Sequence, residues 1–280
     1  MKRPPDYRRI FTNSIVVHEG PSPVDGKPIV VIATGLVTPS TNQKTGPMVQ
    51  VWIMRSDMPP REALHSGQDV SVCNVGKARC SFAGQLVDGK ATERGCYVVM
   101  HQAVSRIYQS YNLGSYPKLS ELRDGAFEGC KVRLGAYGNA SIVPLEILET
   151  MATTSEGLTG YTQDWRDCDP RYARYLMASV TSKAEAREAQ ARGWRTFRVT
   201  ALHPFDDREV GEVVCPATAE WAEKTGFKSD CYTCGMCDGM LSGKRPNIVE
   251  PAHGSAHTKR HALRIVDSSG TRSSASMSSL

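Results

Sequence analysis

The chain has 280 residues, 40% of them hydrophobic, and its 34 Lys and Arg residues outnumber its 29 Asp and Glu residues by only five. This length allows one α/β domain with additions or two small domains, each with a buried core. The net charge permits a polyanionic partner without requiring one, and no apolar run is long enough to predict a membrane span.

The basic N-terminus "MKRPPDYRRIF" is not followed by an apolar segment, so we predict no export signal. The protein is therefore expected in the cytoplasm, or in the host cell cytoplasm if the chain is viral, where thiols stay reduced. Nine cysteines in such a compartment favour metal ligands over disulfides, and their odd number also argues against complete pairing in disulfides.

The first predicted element is a flexible arm over residues 1–20. Two β-branched, apolar runs follow at 27–37 and 48–54, and the Pro-, Ser- and Gly-containing loop between them predicts an antiparallel hairpin. Residues 59–67 predict a short helix opened by proline. These elements begin an α/β domain that we predict over 21–210.

A first cysteine group, Cys73, Cys80 and Cys96, lies in a loop at 73–96 that is rich in Gly, Lys and Asp. Three thiolates on an iron–sulfur cluster would leave one iron open to a substrate or cofactor. With zinc, three ligands would leave the open position of a hydrolytic site. The remaining interpretation is three unrelated buried cysteines, because a free cysteine packs as a small hydrophobe.

From residue 130 onward, strand-like and helix-like runs alternate, which predicts crossover units and a parallel sheet, in a barrel fragment or a doubly wound sheet. The predicted strands are 130–138, 157–165, 174–182, 194–202 and 208–216, and the predicted helices are 141–154 and 183–193. Polar residues at the strand ends would hold a substrate or cap helices: Asn139, Thr162, Gln163, Asp164, Ser179 and Thr181.

Two cysteines stand apart from the groups. Cys130 opens a predicted strand and is expected in the core. Cys168 lies in the polar loop "RDCDPRY", where it is either simply exposed or a redox-active thiol, and it is the one weak candidate for a catalytic residue.

A second cysteine group defines a Cys-rich region at 211–262. It consists of Cys215, followed by proline, and of Cys231, Cys234 and Cys237 at two-residue gaps. A C-x2-C-x2-C run with a remote Cys-Pro suits a [4Fe-4S] cluster of the ferredoxin type. The same four thiolates would also suit a tetrahedral zinc site.

The C-terminal end is predicted to be a disordered, Ser-rich tail at 263–280. Just before it, His253, His257 and His261 recur every four residues, as metal ligands on one helical face would. The basic run "HTKRHALR" would suit a DNA substrate or would be a solvated tail.

The segment from Cys73 to Asn139 resembles a family of bacteriophage proteins with a divergent radical-SAM-like barrel. The resemblance rests on the three spaced cysteines, on "VDGKATERGCYV" around Cys96, on the helix "HQAVSRIYQSY" and on the strand "VRLGAYGNASIVPLEIL". It implies a partial or irregular (β/α) barrel of radical-SAM type, with the N-terminal hairpin and the Cys-rich region as additions.

The resemblance also implies a set of site residues. Cys73, Cys80 and Cys96 would hold a [4Fe-4S] cluster whose open iron chelates S-adenosyl-L-methionine, and the second cysteine group would hold an auxiliary cluster. The glycine-rich turn that meets the methionine moiety would be formed by Gly135, Ala136, Tyr137 and Gly138.

The function implied is a radical-SAM-like enzyme that isomerises or functionalises a substituent on a modified thymine in phage DNA, helping the phage evade restriction. Its partners would be DNA or a modified nucleotide and an electron donor. Two alternatives stay open: a zinc-binding nucleic-acid-binding or interaction module without catalysis, and a hydrolase with a zinc ion on three cysteines, for which no nearby Glu or His base is evident.

Overall fold

The structure is a computed structural model that describes residues 12–73, 80, 82, 85–88, 90–92, 95–96, 98–121, 125–243 and 245–253. The predicted tail at 263–280, the basic run at 257–264 and the first eleven residues of the predicted arm lie outside the described residues.

Twelve strands and eight α-helices make up the described chain. The strands are β1 Ser14–Pro21, β2 Pro28–Thr34, β3 Val49–Arg55, β4 Gln85–Val87, β5 Lys90–Thr92, β6 Lys131–Tyr137, β7 Gly157–Thr159, β8 Tyr161–Thr162, β9 Met177–Val180, β10 Thr196–Thr200, β11 Glu212–Val214 and β12 Asn247–Pro251. The helices are α1 Pro60–His65, α2 Val70–Cys73, α3 Ser105–Asn112, α4 Leu145–Thr154, α5 Lys183–Ala191, α6 Pro204–Asp207, α7 Ala219–Thr225 and α8 Cys231–Cys234. A π-helical turn, Met100–Val104, leads into α3.

The strands form two five-stranded sheets and one small hairpin. The first sheet has the order β1-β2-β3-β6-β7 and the second has the order β11-β12-β10-β9-β8. Only the pairs β1–β2 and β2–β3 in these two sheets are antiparallel, and the other pairs are parallel. The small hairpin consists of β4 and β5.

The two sheets meet at Gly160, the single residue between β7 and β8. A Cβ atom at this position would lie 2.6 Å from Leu176 Cδ2 and 3.0 Å from Leu134 Cβ, so only glycine fits. Because Gly160 joins β7 of the first sheet directly to β8 of the second, the parallel strands form a nearly continuous series. Their order is β3, β6, β7, then β8, β9, β10, β12 and β11.

The α/β class and the predicted hairpin of β2 and β3 are confirmed. Among the described strands, β1 and β11 are the outer edges and do not pair with each other, so the described sheets do not close into a barrel. The likeness to a radical-SAM barrel therefore stays a prediction beyond the coarser α/β assignment.

The predicted arm is wrong over residues 14–20, which belong to β1. The run Ile15, Val16 and Val17 is buried in the main core, and the strand pairs with β2 along its length. Burial of three β-branched side chains supplies the free energy that holds this segment in the sheet.

The predicted boundary at residue 210 does not separate two bodies. Strands β11 and β12 from the Cys-rich region pair in parallel with each other, and β12 pairs with β10 of the preceding segment. A small apolar cluster on this second sheet includes Phe197, Cys215, Cys237 and Ile248, so two cysteines of the second group pack with residues of the sheet.

None of the helices in the described ranges has the length and apolar character that crossing a membrane would need.

Candidate metal centres and ligand cavity

The four cysteines of the second group line one cavity, which we name the four-cysteine cavity. Its volume is about 390 Å³, and its walls include Cys215, Cys231, Cys234, Cys237 and Tyr161. Residues that are separated along the chain thus line one shared cavity, while their role as metal ligands stays a prediction. All nine cysteines are described, and none forms a disulfide.

Local sequence explains how α8 presents Cys231 and Cys234. Asp230 caps the helix, since its side chain accepts a hydrogen bond of 2.7 Å from the Thr233 N–H. Gly235 ends the helix in the left-handed conformation (φ 61°) that glycine adopts at low cost. The two thiols consequently lie one helical turn apart on a single short helix.

Three other parts of the chain hold these cysteines. Cys231, Cys234 and Cys237 lie in the segment 231–239, which we name the cysteine loop. The Cys231 N–H donates to Lys44 O at 3.0 Å, in the loop between β2 and β3, and the Gly160 N–H donates to Cys237 O at 3.1 Å. The Cys215 N–H donates to Val249 O at 2.9 Å and so attaches the fourth cysteine to β12. The backbone around the cavity is therefore fixed from both sheets.

A buried ion pair closes the same loop. The Arg195 guanidinium donates to Asp238 Oδ1 at 2.9 Å, to Gly239 O at 2.6 Å and to Pro246 O at 2.6 Å. Both charged side chains are buried, and Asp238 directly follows Cys237. This pair ties the end of the cysteine loop to the start of β10.

Burial raises the pKa of each of the four thiols: that of Cys231 to about 11, and those of Cys215, Cys234 and Cys237 above their ordinary value. Buried thiolates need a compensating cation, and four sulfur donors on one cavity fit a [4Fe-4S] cluster or a zinc ion by their chemistry. Within the described residues, no three or more His, Cys, Asp or Glu side chains already stand in the geometry of a metal-ion site.

The first cysteine group lines a second, larger cavity of about 910 Å³, the three-cysteine cavity. Cys73, Cys80 and Cys96 all contribute to its wall. The opposite wall comes from strands β6, β8, β9 and β10, through Leu134, Gly135, Tyr137, Gly138, Asn139, Tyr161, Gln163, Ser179, Phe197 and Val199. The cavity therefore lies against the parallel strands, toward their carboxyl ends, where α/β proteins commonly bind ligands.

The glycine-rich turn bulges out of the sheet beside this cavity. Gln50 pairs with Arg133 and Trp52 pairs with Tyr137, so two positions on β3 correspond to four on β6. Gly135 has φ 66°, and a Cβ atom at Gly138 would lie 2.7 Å from Ile53 O. The bulge itself thus requires both glycines. The predicted Ala136 is buried and does not line the cavity.

Asn139 lines this cavity and carries a buried side-chain amide. The residue is 8% exposed, and neither Oδ1 nor Nδ2 has a hydrogen-bond partner among the described residues. Its backbone N–H donates to Val72 O at 2.7 Å, which joins the turn to the helix that carries Cys73. A buried amide without partners costs free energy that a bound ligand would recover.

The other polar residues predicted at the strand ends divide into two sets. Gln163 and Ser179 line the cavity and are joined by a hydrogen bond of 2.6 Å. Thr162 and Thr181 instead bond within the protein, to Ser141 Oγ at 3.0 Å and to the Glu185 carboxylate at 3.0 Å. For these two threonines the capping or structural role is the one observed.

A third cavity of about 580 Å³, the charged cavity, lies beside Cys231 and is lined by Lys44, Arg133, Glu250 and His253. It shares four residues with the three-cysteine cavity: Phe82, Tyr161, Phe197 and Val199. Sequence reasoning missed Lys44, Arg133 and Glu250, because they come from separate elements and no spacing connects them.

Tyr161 lines all three cavities. Its ring packs against Phe197 with centroids 4.3 Å apart. Burial raises the pKa of its phenol, and the nearby phenol acts to lower the pKa of the Cys237 thiol. A neutral phenol in this position would be a donor toward that sulfur once it is a thiolate.

The remaining candidates do not line either of the two cysteine cavities. Cys130 is buried, as predicted. Cys168 packs against the core, and burial followed by the charge of Asp164 raises the pKa of its thiol to about 12, which opposes a thiolate role. His253 follows β12 outside any helix, while His257 and His261 lie outside the described residues.

Comparisons of the chain with models of known protein families, with curated proteins and with solved structures give no match. The resemblance to radical-SAM-like phage proteins accordingly stays a prediction.

Proposed function

We propose that the chain is an iron–sulfur enzyme of the radical-SAM-like class. In this proposal the three-cysteine cavity holds a [4Fe-4S] cluster with one open iron beside its ligand S-adenosyl-L-methionine, and the four-cysteine cavity holds an auxiliary cluster. The observation that carries it is that Cys73, Cys80 and Cys96, spread over 24 positions of sequence, line one cavity with the buried, unpartnered amide of Asn139.

A reduced cluster of this kind would supply one electron for reductive cleavage of S-adenosyl-L-methionine, which leads to hydrogen-atom abstraction from an unactivated carbon. The protein's own residues would bind and orient the ligands. Asn139 offers one donor and one acceptor group, and the Gln163–Ser179 pair offers a second polar contact. Tyr161 and Phe197 form an apolar wall that excludes water from the reacting atoms.

The substrate in this proposal is a modified thymine in phage DNA or its free nucleotide, whose substituent is isomerised or functionalised to help evade restriction. That choice is supported by the resemblance alone. An electron donor would act as the partner that reduces the clusters.

A second candidate is a zinc-binding nucleic-acid-binding or interaction module without catalysis. The four-cysteine cavity favours it, because four thiols held by buried backbone contacts suit a closed structural zinc site. A protein of this type would have no use for the larger cavity and its unpartnered amide.

The test is metal analysis of the full chain, purified without oxygen and reconstituted with iron and sulfide. We expect a brown protein with about eight irons per chain, two four-iron clusters. Replacing the three cysteines of the first group by alanine should leave about four irons, and so should replacing Cys231, Cys234 and Cys237. Adding S-adenosyl-L-methionine should change the electron paramagnetic resonance spectrum only while the first group is intact.

Cys168→Ala is the matched control, since it removes a thiol that lines neither cysteine cavity. It should keep the full iron content. A colourless protein that binds one zinc ion through the second group would favour the zinc module. Iron binding that is indifferent to Cys73, Cys80 and Cys96 would overturn the proposed enzyme.

A further inference from the structure

The charged cavity carries an excess of positive charge against an apolar wall. Lys44 and Arg133 face one carboxylate, Glu250, and burial lowers the pKa of His253, which favours its neutral form. The other walls include Phe82, Tyr161, Phe197 and Val199, which also line the three-cysteine cavity. The two cavities therefore adjoin, one with a charged end and the other with a polar amide.

Both cations retain hydrogen-bonding capacity. An ammonium group has three donors, and Lys44 Nζ uses two of them, toward Glu250 Oε1 and toward His253 Nε2 at 3.2 Å. A guanidinium has five donors, and the one hydrogen bond of the Arg133 side chain within the described residues goes to Gln50 Oε1 at 3.2 Å.

We infer that the charged cavity binds the anionic group, a carboxylate or a phosphate, of a small ligand whose body lies in the three-cysteine cavity. Lys44 and Arg133 supply charge-assisted hydrogen bonds to that group. Glu250 holds Lys44 in place and limits the net charge of the cavity to one positive unit when His253 is neutral. The inference deepens the proposed function, on which it rests, by assigning a negatively charged substrate class.

A competing explanation is that the two cations only balance the charge of thiolates at the four-cysteine cavity. Arg133 and Lys44 both act to lower the pKa of Cys231, so they lie close enough to do so. The two explanations differ in one respect: only the first requires affinity for an added anion once the metal sites are filled.

The experiment measures binding by titration calorimetry to the full, metal-loaded chain. The probes are inorganic phosphate, acetate, a deoxynucleoside and its 5′-monophosphate. We expect at least one anion to bind and, if the source is a nucleotide, the monophosphate to bind tenfold or more tightly than the nucleoside. Acetate binding without phosphate binding would assign a carboxylate instead.

Lys44→Gln and Arg133→Gln should each weaken anion binding about tenfold or more, as expected for loss of a hydrogen bond from a charged donor. Glu250→Gln should strengthen it, because a neighbouring negative charge is removed. Arg208→Gln, which removes the same charge at an exposed position, is the control and should leave binding unchanged. Circular dichroism would verify that each variant is folded.

Failure of all anions to bind, or equal binding by the Lys44, Arg133 and Arg208 variants, would overturn the inference. Iron is counted on the same samples, so the two proposals fail separately. Full iron content without anion binding would contradict only the anion site. Anion binding by a protein that holds no iron would contradict only the proposed enzyme.

Discussion

The four-cysteine cavity and the three-cysteine cavity share the side chain of Tyr161 but are built in different ways. Around the first, backbone hydrogen bonds from the β2–β3 loop, from Gly160 and from β12 hold the cysteines, and a buried ion pair closes the loop. Around the second, Asn139 presents a buried amide without hydrogen-bond partners among the described residues. At the first site most of the bonds lie within the protein and only Arg195 Nε has no partner among the described residues, whereas at the second a whole side-chain amide has none.

This difference indicates a division of roles. A site whose cysteines are held by backbone hydrogen bonds and a buried ion pair stabilises the fold and keeps four ligands in fixed positions, as a structural or electron-carrying centre requires. A larger cavity with an unsatisfied amide has given up some stability, which proteins commonly do where they bind a ligand. The predictions below test whether stability and binding do separate in this way.

The largest expected effect comes from Arg195→Met, which leaves the buried carboxylate of Asp238 without its cation. Removing one partner of a buried ion pair typically costs about 3–5 kcal/mol. We expect a loss of that order in the free energy of unfolding, measured by chemical denaturation. Arg187→Met is the control, because its ion pair with Glu209 is largely exposed and such pairs contribute about 0–1 kcal/mol. Equal losses in the two variants would contradict the closing role of Arg195.

Gly239→Ala tests the same loop through its backbone. Gly239 has φ 60°, and a Cβ atom there would lie 2.7 Å from Ala173 O and from Leu176 N. The left-handed conformation and the overlap together should cost about 2–4 kcal/mol of unfolding free energy. Gly243→Ala, at φ 81° with no atom within 4 Å of its Cβ, isolates the conformational part and should cost about 1–2 kcal/mol. A Gly239 variant as stable as the Gly243 variant would show that the loop is not tightly docked.

The sequence predicts much of this architecture because its signals are local. Strand-like apolar runs that alternate with helix-like runs predict the parallel strands. The spacing of the cysteines identifies the two cysteine groups, and in the structure each group lines one cavity. The predicted arm is wrong at 14–20 because basic and proline-containing residues before it suggested a loose segment, whereas three consecutive β-branched residues decide its burial.

What the sequence does not predict is how the cavities connect. Tyr161 resembles any other strand tyrosine, and its importance follows only from its position between two sheets. Lys44, Arg133 and Glu250 lie in three elements that come together through β-pairing and loop contacts. Such long-range convergence leaves no pattern within a short window of sequence.

Asn139→Leu should have opposite effects on stability and binding. Replacing a buried, unsatisfied amide by an apolar group of similar size removes a desolvation cost of about 1–3 kcal/mol. We therefore expect the unliganded protein to gain about 1 kcal/mol of unfolding free energy and to lose affinity for S-adenosyl-L-methionine. Gln163→Leu, in the same cavity, breaks a hydrogen bond to Ser179 and should lose about 1 kcal/mol. Destabilisation by both variants would mean that Asn139 is satisfied within the protein.

The smallest expected effect is that of Tyr161→Phe on the reduction potential of the cluster that we propose for the four-cysteine cavity. The variant keeps the ring that packs on Phe197 and loses only the hydroxyl group, which lies close enough to Cys237 to lower the pKa of its thiol. A hydrogen bond to a cluster sulfur favours the reduced, more negative state, so its loss should lower the reduction potential. A bond worth about 1 kcal/mol corresponds to roughly 40 mV for one electron, measurable by a redox titration followed by electron paramagnetic resonance.

Tyr172→Phe is the control that makes this shift interpretable. Tyr172 is also a buried tyrosine, and its phenol donates to Val143 O at 2.7 Å rather than to a cysteine. Both variants should lose about 1 kcal/mol of unfolding free energy, while only Tyr161→Phe should move the potential of the four-cysteine cluster. If the reduction potential of the cluster is the same in the two variants, Tyr161 contributes only packing. The two cysteine cavities are then chemically independent, although they share the side chain of Tyr161.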